Sequence, residues 1–234
     1  MEIRLLADHR GDLIAERTRI ENRLRWHLVQ LNPALEGGIP GRCLHHPIWL
    51  ERVARSLQRL PSSDARVRVA RQLVSSIRQL TRQAASTETE LRALVRAYRP
   101  RLLTELGCGT LTAAILIGHT AGAERFDTDA RFARQAGTAP IPVSSGKRDR
   151  HRLHRGGDRQ LNRALHTIAI TRARRDPETR AYLDRKMAEG KTRQEALRCL
   201  KRHLARRFHR LLTEPITNAE TTPINARLNI ACLT

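Results

Sequence analysis

The sequence predicts an all-α protein, and three observations predict it. Only seven of its 234 residues are aromatic, so cores must be assembled from Leu, Ile, Val and Ala, which suits helix packed on helix. Leu, Ala, Arg and Glu, all good helix formers, recur through long stretches. Gly and Pro gather in a few places. The expected architecture is a long helical coiled-coil arm followed by a compact helical domain that contains a helix-hairpin-helix.

Residues 1–31 read as one helix, with Leu6, Leu13, Ile20, Leu24, Leu28 and Leu31 near one face. Gly11 weakens its first third and Asn32-Pro33 stops it. The pattern is under way from the first residues without a cap, as where a chain joins a larger architecture partway. Residues 32–47, NPALEGGIPGRCLHHP, are dense in Gly and Pro and read as a linker. Helix resumes near Ile48 with Leu50, Val53, Leu57 and Leu60, and Pro61 ends it. Ser63 or Asp64 can cap the next helix. That helix carries the most regular pattern of the chain. Ala70, Leu73, Ile77, Leu80, Ala84, Thr87, Leu91, Leu94 and Tyr98 alternate spacings of three and four. Sustained heptads predict a coiled coil or long antiparallel hairpin, and residues 48–99 form the helical arm. A heptad does not say whether its partner lies in the same chain or in a second copy.

From Arg101 helices shorten. Leu102, Leu103 and Leu106 lead into Gly107-Cys108-Gly109, Thr110 or Thr112 can cap a helix through Ile117, and Gly118 and Gly122 mark its end. Asp127 or Thr128 caps a short helix over Asp129–Gln135, and a loop follows, GTAPIPVSSGKRDRHRLHRGG. Asp158 caps a helix to about Arg174, and Asp176-Pro177-Glu178 restarts helix in the favoured order of cap, Pro and acid. Gly190 breaks it. Thr192 and Glu195 form a capping box before the last helix, whose inward face is Leu197, Leu200, Leu204, Phe208, Leu211 and Leu212, flanked by Arg198, Lys201, Arg202, Arg206 and Arg207. The compact domain spans 100–213, and 214–234 reads as a polar, disordered tail.

Net charge is +21, from 44 basic against 23 acidic residues, and only Lys147, Lys186, Lys191 and Lys201 are lysine. Such an excess favours a polyanionic partner, because each neutralised phosphate releases counterions. Arginine also matches phosphates and the guanine edge in a bidentate manner. Cys43, Cys108, Cys199 and Cys232 form no CxxC pair, which argues against zinc-ribbon and redox readings and for reduced thiols in a cytoplasmic protein. His45-His46 beside Cys43 lacks metal-ligand spacing, and no metal site is expected. No apolar run is long enough to span a membrane. The opening MEIRLLADHRGD is charged throughout, unlike a signal peptide.

Three constellations bear chemistry. Leu106-Gly107-Cys108-Gly109-Thr110 has the shape of a helix-hairpin-helix turn, whose glycines let backbone approach closely and whose following amides can hold a DNA phosphate. The run from Lys147 to Arg175 holds ten Lys and Arg against Asp149 and Asp158, with Arg148, Arg150 and Arg152 alternating as on an extended loop and Arg155 and Arg159 following. Charge so dense repels itself unless a polyanion meets it. Ser144-Ser145-Gly146 lies between a Pro-containing loop and that run. A serine among arginines can attack a phosphodiester while the arginines stabilise charge on phosphorus, although a loop serine is commonly a turn residue.

These features occur together in one family. LTELGCGTLTAA, RFARQAGTAPIPVSSGKRDRHRLHRGGDRQLNRALHTIA and ETRAYLDRKMAEGKTRQEALRCLKRHLARRFHRLL resemble the C-terminal transposase domain of the insertion-sequence "one-ten" family, the "one-sixteen" and "nine-oh-two" type. These are DEDD transposases, the group that contains the RNA-guided bridge recombinases. The opening helix resembles the one that follows the family's RuvC-like domain, and the heptad helix resembles its coiled coil. The resemblance implies DNA strand exchange by a serine nucleophile, matching Ser145 with Ser144 as fallback, and helix-hairpin-helix contacts at Gly107 and Gly109. It implies DNA as partner, a structured guide RNA as a further one, and a homo-oligomer through the coiled coil. Magnesium is implied only for the RuvC-like domain, whose acidic tetrad has no counterpart here; Asp8 and Asp12 do not fit it. The expectation is therefore a truncated, mis-started or split reading frame. The competing expectation is a non-catalytic nucleic-acid-binding module; a DNA-repair nuclease is disfavoured because no acidic or histidine cluster marks a two-metal site.

Overall fold

The computed structural model describes residues 1–145, 148–152 and 154–215. Among the described residues there are ten α-helices, one turn of 3-10 helix and one two-stranded hairpin, so the fold is all-α. The hairpin, β1 (Ile141–Ser145) with β2 (Arg148–Arg152), stands where a loop is expected. Its cause is local. Ile141 and Val143 are β-branched, and the alternation of Arg148, Arg150 and Arg152 is that of a strand. Two compact units result, Asp8–Thr89 and Met1–Ala7 with the chain from Glu90 onward.

In the first unit α1 (Glu2–Leu31) runs antiparallel to α4 (Ala65–Tyr98), as their cross-links show. Arg10 pairs with Glu88 at 2.9 Å, and Arg17 donates to Thr81 Oγ1 at 3.4 Å. Leu13, Leu80 and Ala84 form one small cluster. Leu24 and Leu28 join Ala70, Leu73 and Ile77 in a larger one, with Leu50, Val53 and Leu57 of α3 (Pro47–Gln58). The heptad stripe from Ala70 to Ala84 thus packs within its own chain. Asp64, not Ser63, caps α4, accepting from the Arg66 amide at 2.7 Å. The stretch 32–47 is packed and not a free linker. Asn32 caps α2 (Pro33–Gly37), and Leu35, Ile39 and Leu44 are buried.

In the second unit Leu91 and Val95, at the end of α4, enter a core built by α6 (Thr110–Thr120), α7 (Asp129–Gln135), α8 (Arg159–Arg175) and α10 (Arg193–Thr213). Val95 takes the place expected for Leu94, and Tyr98 is 45% exposed. A straight α-helix drifts by about 20° per heptad from a strict 3.5-residue repeat, so after four heptads the buried seam has moved by almost one residue. Thr128, Asp158, Asp176 and Thr192 cap α7, α8, α9 (Pro177–Ala188) and α10 as expected, and Thr192 with Glu195 closes a capping box. Gly118 does not end its helix. It lies inside α6, where a Cβ would come within 2.8 Å of Arg4 Cα; it is glycine because α1 passes there. The stretch expected to be a disordered tail, 214–234, lies mostly outside the described residues, as does Cys232.

Leu24 is fully buried among side chains of its own chain. Leu24→Ala should lower the free energy of unfolding by about 2–5 kcal/mol. Thermal melts at two protein concentrations tenfold apart should show the same loss. A loss that shrinks on concentrating the protein would place the partner on another molecule.

Candidate nucleic-acid interface

The glycine turn follows α5 (Arg101–Thr104) and precedes α6. Gly107 has φ of +85°, and a Cβ there would stand 3.0 Å from the Ile168 carbonyl oxygen and 3.2 Å from Thr171 Cβ. Its glycine is needed to seat the turn against α8. Gly109 differs: it begins α6 at φ −81° with open space where a Cβ would go. Neither Thr110 nor Thr112 caps α6; Thr110 Oγ1 accepts from Arg92 at 3.4 Å, and Thr112 Oγ1 donates to the Gly109 carbonyl at 2.8 Å. Cys108 is buried, and burial pushes its thiol up to about 12, so it is no nucleophile.

Glu105, which sequence reasoning passed over, staples this turn to two helices. Arg207 donates to both its carboxylate oxygens at 2.7 Å, and Arg172 donates to it at 2.6 Å and to the Leu106 carbonyl at 3.0 Å. Burial alone would raise this carboxyl; the hydrogen bonds and charge of Arg207 and then Arg172 overcome it and hold it below the usual range.

The hairpin that carries the serine pair is rooted at the other end of α8. Ser144 and Ser145 end β1, and their backbones pair with Asp149 and Arg148; Val143 pairs with Arg150 and Ile141 with Arg152. Gly146 and Lys147 lie outside the described residues. The hairpin's two ends are pinched together. A Cβ on Gly157 would fall 2.3 Å from the Gly137 amide nitrogen, and Gly137 itself has φ of +63°. The Asp158 amide donates to the Gln135 carbonyl at 2.6 Å, and the amides of Thr138 and Ala139 donate to the Ala133 carbonyl. Asn162 donates to the carbonyls of Ala136 and Gly137 at 3.0 and 2.9 Å. Its own Oδ1 accepts from Lys201 Nζ at 2.6 Å. Asp158 caps α8 and meets His119 Nδ1 at 3.0 Å. Burial opposes the charge on this carboxylate, but the Leu161 amide and His119 outweigh it and hold its pKa low.

Two clefts flank this root. One, of about 680 Å³, is lined by His154, Arg155, Arg159, Arg163, Arg198 and Lys201, among others, and by no carboxylate. The other, of about 770 Å³, carries Arg152, Lys186, Arg202 and Arg206 with Glu189 and Glu195. Of the sequence-predicted contacts, Arg152, Arg155 and Arg159 therefore line clefts at the hairpin root. Gly107, Gly109 and Thr110 belong to the opposite end of α8. Asn162 and Thr171 are separated by about 13 Å along that helix at 1.5 Å per residue. Gly137, Gly157, Asn162 and Lys201 were missed. The only sequence signals were a glycine on either side of the loop and an Asn four residues beyond the Asp158 cap.

Lys201 is 6% exposed, and burial, then the Arg198 charge, lowers its pKa to about 8. Burial first and Lys201 second lower His166 as well. Among the described residues no group of three His, Cys, Asp or Glu could hold a metal ion.

Residues 99–184 match the sequence model of a family described as Transposase IS116/IS110/IS902. The chain is 32% identical over 239 residues to the 43.6 kDa protein of insertion element IS110 from Streptomyces coelicolor, covering 84% of this chain and 59% of that one. It is 30% identical over 147 residues to the 42 kDa protein of insertion element IS900 from Mycobacterium paratuberculosis, covering 61% and 37%. It is 27% identical over 242 residues to the 44.8 kDa protein of insertion element IS116 from Streptomyces clavuligerus, covering 86% and 60%. At 59% and 60% coverage, the chain spans about three-fifths of the length of two of these relatives.

Two outcomes follow from the geometry. Gly107→Ala should destabilise by about 1–3 kcal/mol, from positive φ and the close carbonyl, and Gly109→Ala by less than about 0.5 kcal/mol. Equal melting midpoints for the two variants would refute the packing role of Gly107. Lys201 holds fewer protons folded than unfolded between pH 8 and 10.5. Its burial penalty, about 3 kcal/mol, is full below pH 8 and is relieved as pH rises towards 10.5. Lys201→Met should then raise the melting midpoint at pH 7, less about 1 kcal/mol for the lost bond to Asn162, and flatten the alkaline rise. A lower midpoint with the rise intact would count against the penalty.

Proposed function

The chain belongs to the IS116/IS110/IS902 transposase family, and from that membership we propose that it serves DNA transposition of an insertion element, with Ser145 as nucleophile of strand exchange and Ser144 as the alternative. The observation that carries this reading is where the serine pair falls. It lies at the turn end of a hairpin whose root is clamped by Gly137, Gly157 and Asn162 and flanked by clefts lined with cations, inside the span that matches the family. A nucleophile on a fixed support loses less entropy in reaching its target. In the step, Ser145 Oγ bonds to a DNA phosphorus and the bond from phosphorus to the leaving sugar oxygen breaks. The serine proton is released and the leaving oxygen is protonated. Nearby arginines stabilise the charge on the phosphoryl oxygens.

Lys147, Arg148, Arg150, Arg152, Arg155 and Arg159 are assigned to the DNA backbone on this reading. The α6 amides after Gly107, Gly109 and Thr110 supply a second backbone contact, in the manner of a helix-hairpin-helix. A structured guide RNA would meet the same phosphate-reading surface. Self-association through α4 would use surfaces other than its Ala70–Ala84 stripe, which packs within its own unit. Free thiols at Cys43, Cys108 and Cys199 fit work in the cytoplasm. The acidic tetrad and its magnesium are assigned outside these 234 residues, and no step here is routed through a metal.

DNA bearing the element's junction, with a RuvC-like partner supplied, should form a detergent-stable covalent adduct with the chain. Ser145→Ala should abolish the adduct and leave DNA affinity nearly unchanged. An adduct that survives both Ser145→Ala and Ser144→Ala would overturn the assignment. Six to ten phosphate contacts imply a loss of roughly 10³–10⁵ in affinity between 50 and 200 mM salt. The non-catalytic alternative predicts the same salt dependence with no adduct.

A further inference from the structure

We propose that the cleft between α8 and α10 is a phosphodiester-binding site with Lys201 at its floor, so that one backbone phosphate of a bound nucleic-acid strand sits against the root of the serine hairpin. The proposal rests on the DNA-binding reading above and names where one phosphate goes.

Three observations carry it. The first is the charge balance. Every titratable side chain lining the cleft is basic: His154 and Arg155 before α8, Arg159, Arg163 and His166 on it, and Arg198 and Lys201 on α10. Several basic side chains elsewhere in this unit have a carboxylate partner. Glu105 serves Arg172 and Arg207, Asp129 serves Arg202 and Arg206, and Glu189 serves Lys186 and Lys191. The carboxylates on the far side of Lys201 are thus engaged, since Glu195 is also bound in its capping box. The second is the burial of Lys201 itself. Its ammonium is 6% exposed and donates to the neutral Asn162 amide, with no carboxylate in ion-pair distance among the described residues. A buried cation without a counter-charge is costly, and an anion entering the cleft would supply that counter-charge. The third is connectivity. The same Asn162 that accepts from Lys201 holds the Ala136 and Gly137 carbonyls at the hairpin root. A phosphate held at Lys201 would lie one side chain away from the support of Ser144 and Ser145. A cleft of about 680 Å³ has room for a backbone phosphate with its sugar.

Binding would then be linked to protonation, because the anion needs the ammonium form. With the free amine titrating near pH 8, affinity should fall about tenfold between pH 7 and pH 9 through this group. His166, on the same cleft, is lowered from its ordinary value by burial and then by the Lys201 charge, away from that window.

The test uses the full chain and fluorescently labelled 12-nucleotide single strands of DNA and of RNA, with inorganic phosphate as competitor, from pH 6.5 to 9.5. Wild type should bind with the tenfold alkaline fall. Lys201→Met should weaken binding at pH 7 by at least about tenfold, the value of a charge-assisted hydrogen bond, while remaining folded. Lys201→Arg keeps the charge without titrating, and should bind at pH 7 with the alkaline fall removed. Arg152→Ala, outside the cleft, should weaken binding but keep the fall. Tighter displacement by inorganic phosphate than by unlabelled strand would mark a site for free phosphate and overturn the proposal. Preference for DNA or RNA identifies the strand. Wild type that binds neither strand would overturn the DNA-binding reading and this site with it. Strand binding that Lys201→Met leaves unchanged, in strength and in pH dependence, would overturn this site alone.

Discussion

The arrangement at the serine hairpin depends on one side chain, the Asn162 amide. Both its N–H groups are committed to the carbonyls that end α7, and its oxygen to Lys201. A two-stranded ribbon is marginal by itself in water, so β1 and β2 need support from the helices they join. The support is concentrated at the root. Gly137 and Gly157 approach closer than any Cβ allows, and the Asp158 amide closes the ring to Gln135. Asp158 begins α8 and Asn162 sits one turn later on the same helix, so the cap that starts the helix also aligns the amide with its targets. Substituting Asn162 with an apolar residue would strand two carbonyls and a buried ammonium at once, each expensive to leave unmatched.

The two ends of α8 handle charge in opposite ways. At its C-terminal end a half-buried carboxylate, Glu105, is matched by two arginines with near-ideal bidentate geometry. At its N-terminal end the balance tips the other way, with Lys201 buried among like charges. Lys201 is buried on α10, whose neighbouring Leu200 and Leu204 enter the core, and an apolar residue there would escape the cost of burying a charge. A residue that lowers stability at a position open to a better-packing one is the kind of local conflict that function retains.

What the sequence made legible was local. Caps at Thr128, Asp158, Asp176 and Thr192 and the ends of the helices they open depend on residues three or four apart, and they fall as the pattern predicts. The heptad on α4 was legible too, until helical drift moved its seam from Leu94 to Val95. Gly118 was misread because its reason, the passage of Arg4, is over a hundred residues away in sequence. The serine loop was legible as an exposed basic segment but not as a hairpin, since a single Ile-Pro-Val run is too short to declare a strand. Lys201 looked like a solvent-facing flank of the last helix. Only the packing of α8 against α10 buries it, and no periodicity in either helix announces that.

The span that matches the family ends at residue 184, within α9. The physical unit does not end there. Phe208 and Leu204 of α10 fill the same core as Leu161, Leu165 and Ile168 of α8, and Phe208 is among the largest fully buried side chains. α10 also supplies the cation at each end of α8, Lys201 to Asn162 and Arg207 to Glu105. A chain cut at residue 184 would expose that apolar face and leave both polar nodes half-made. The serine hairpin and the glycine turn are therefore held in place from beyond the segment in which they lie, and α10 belongs to any account of what positions them.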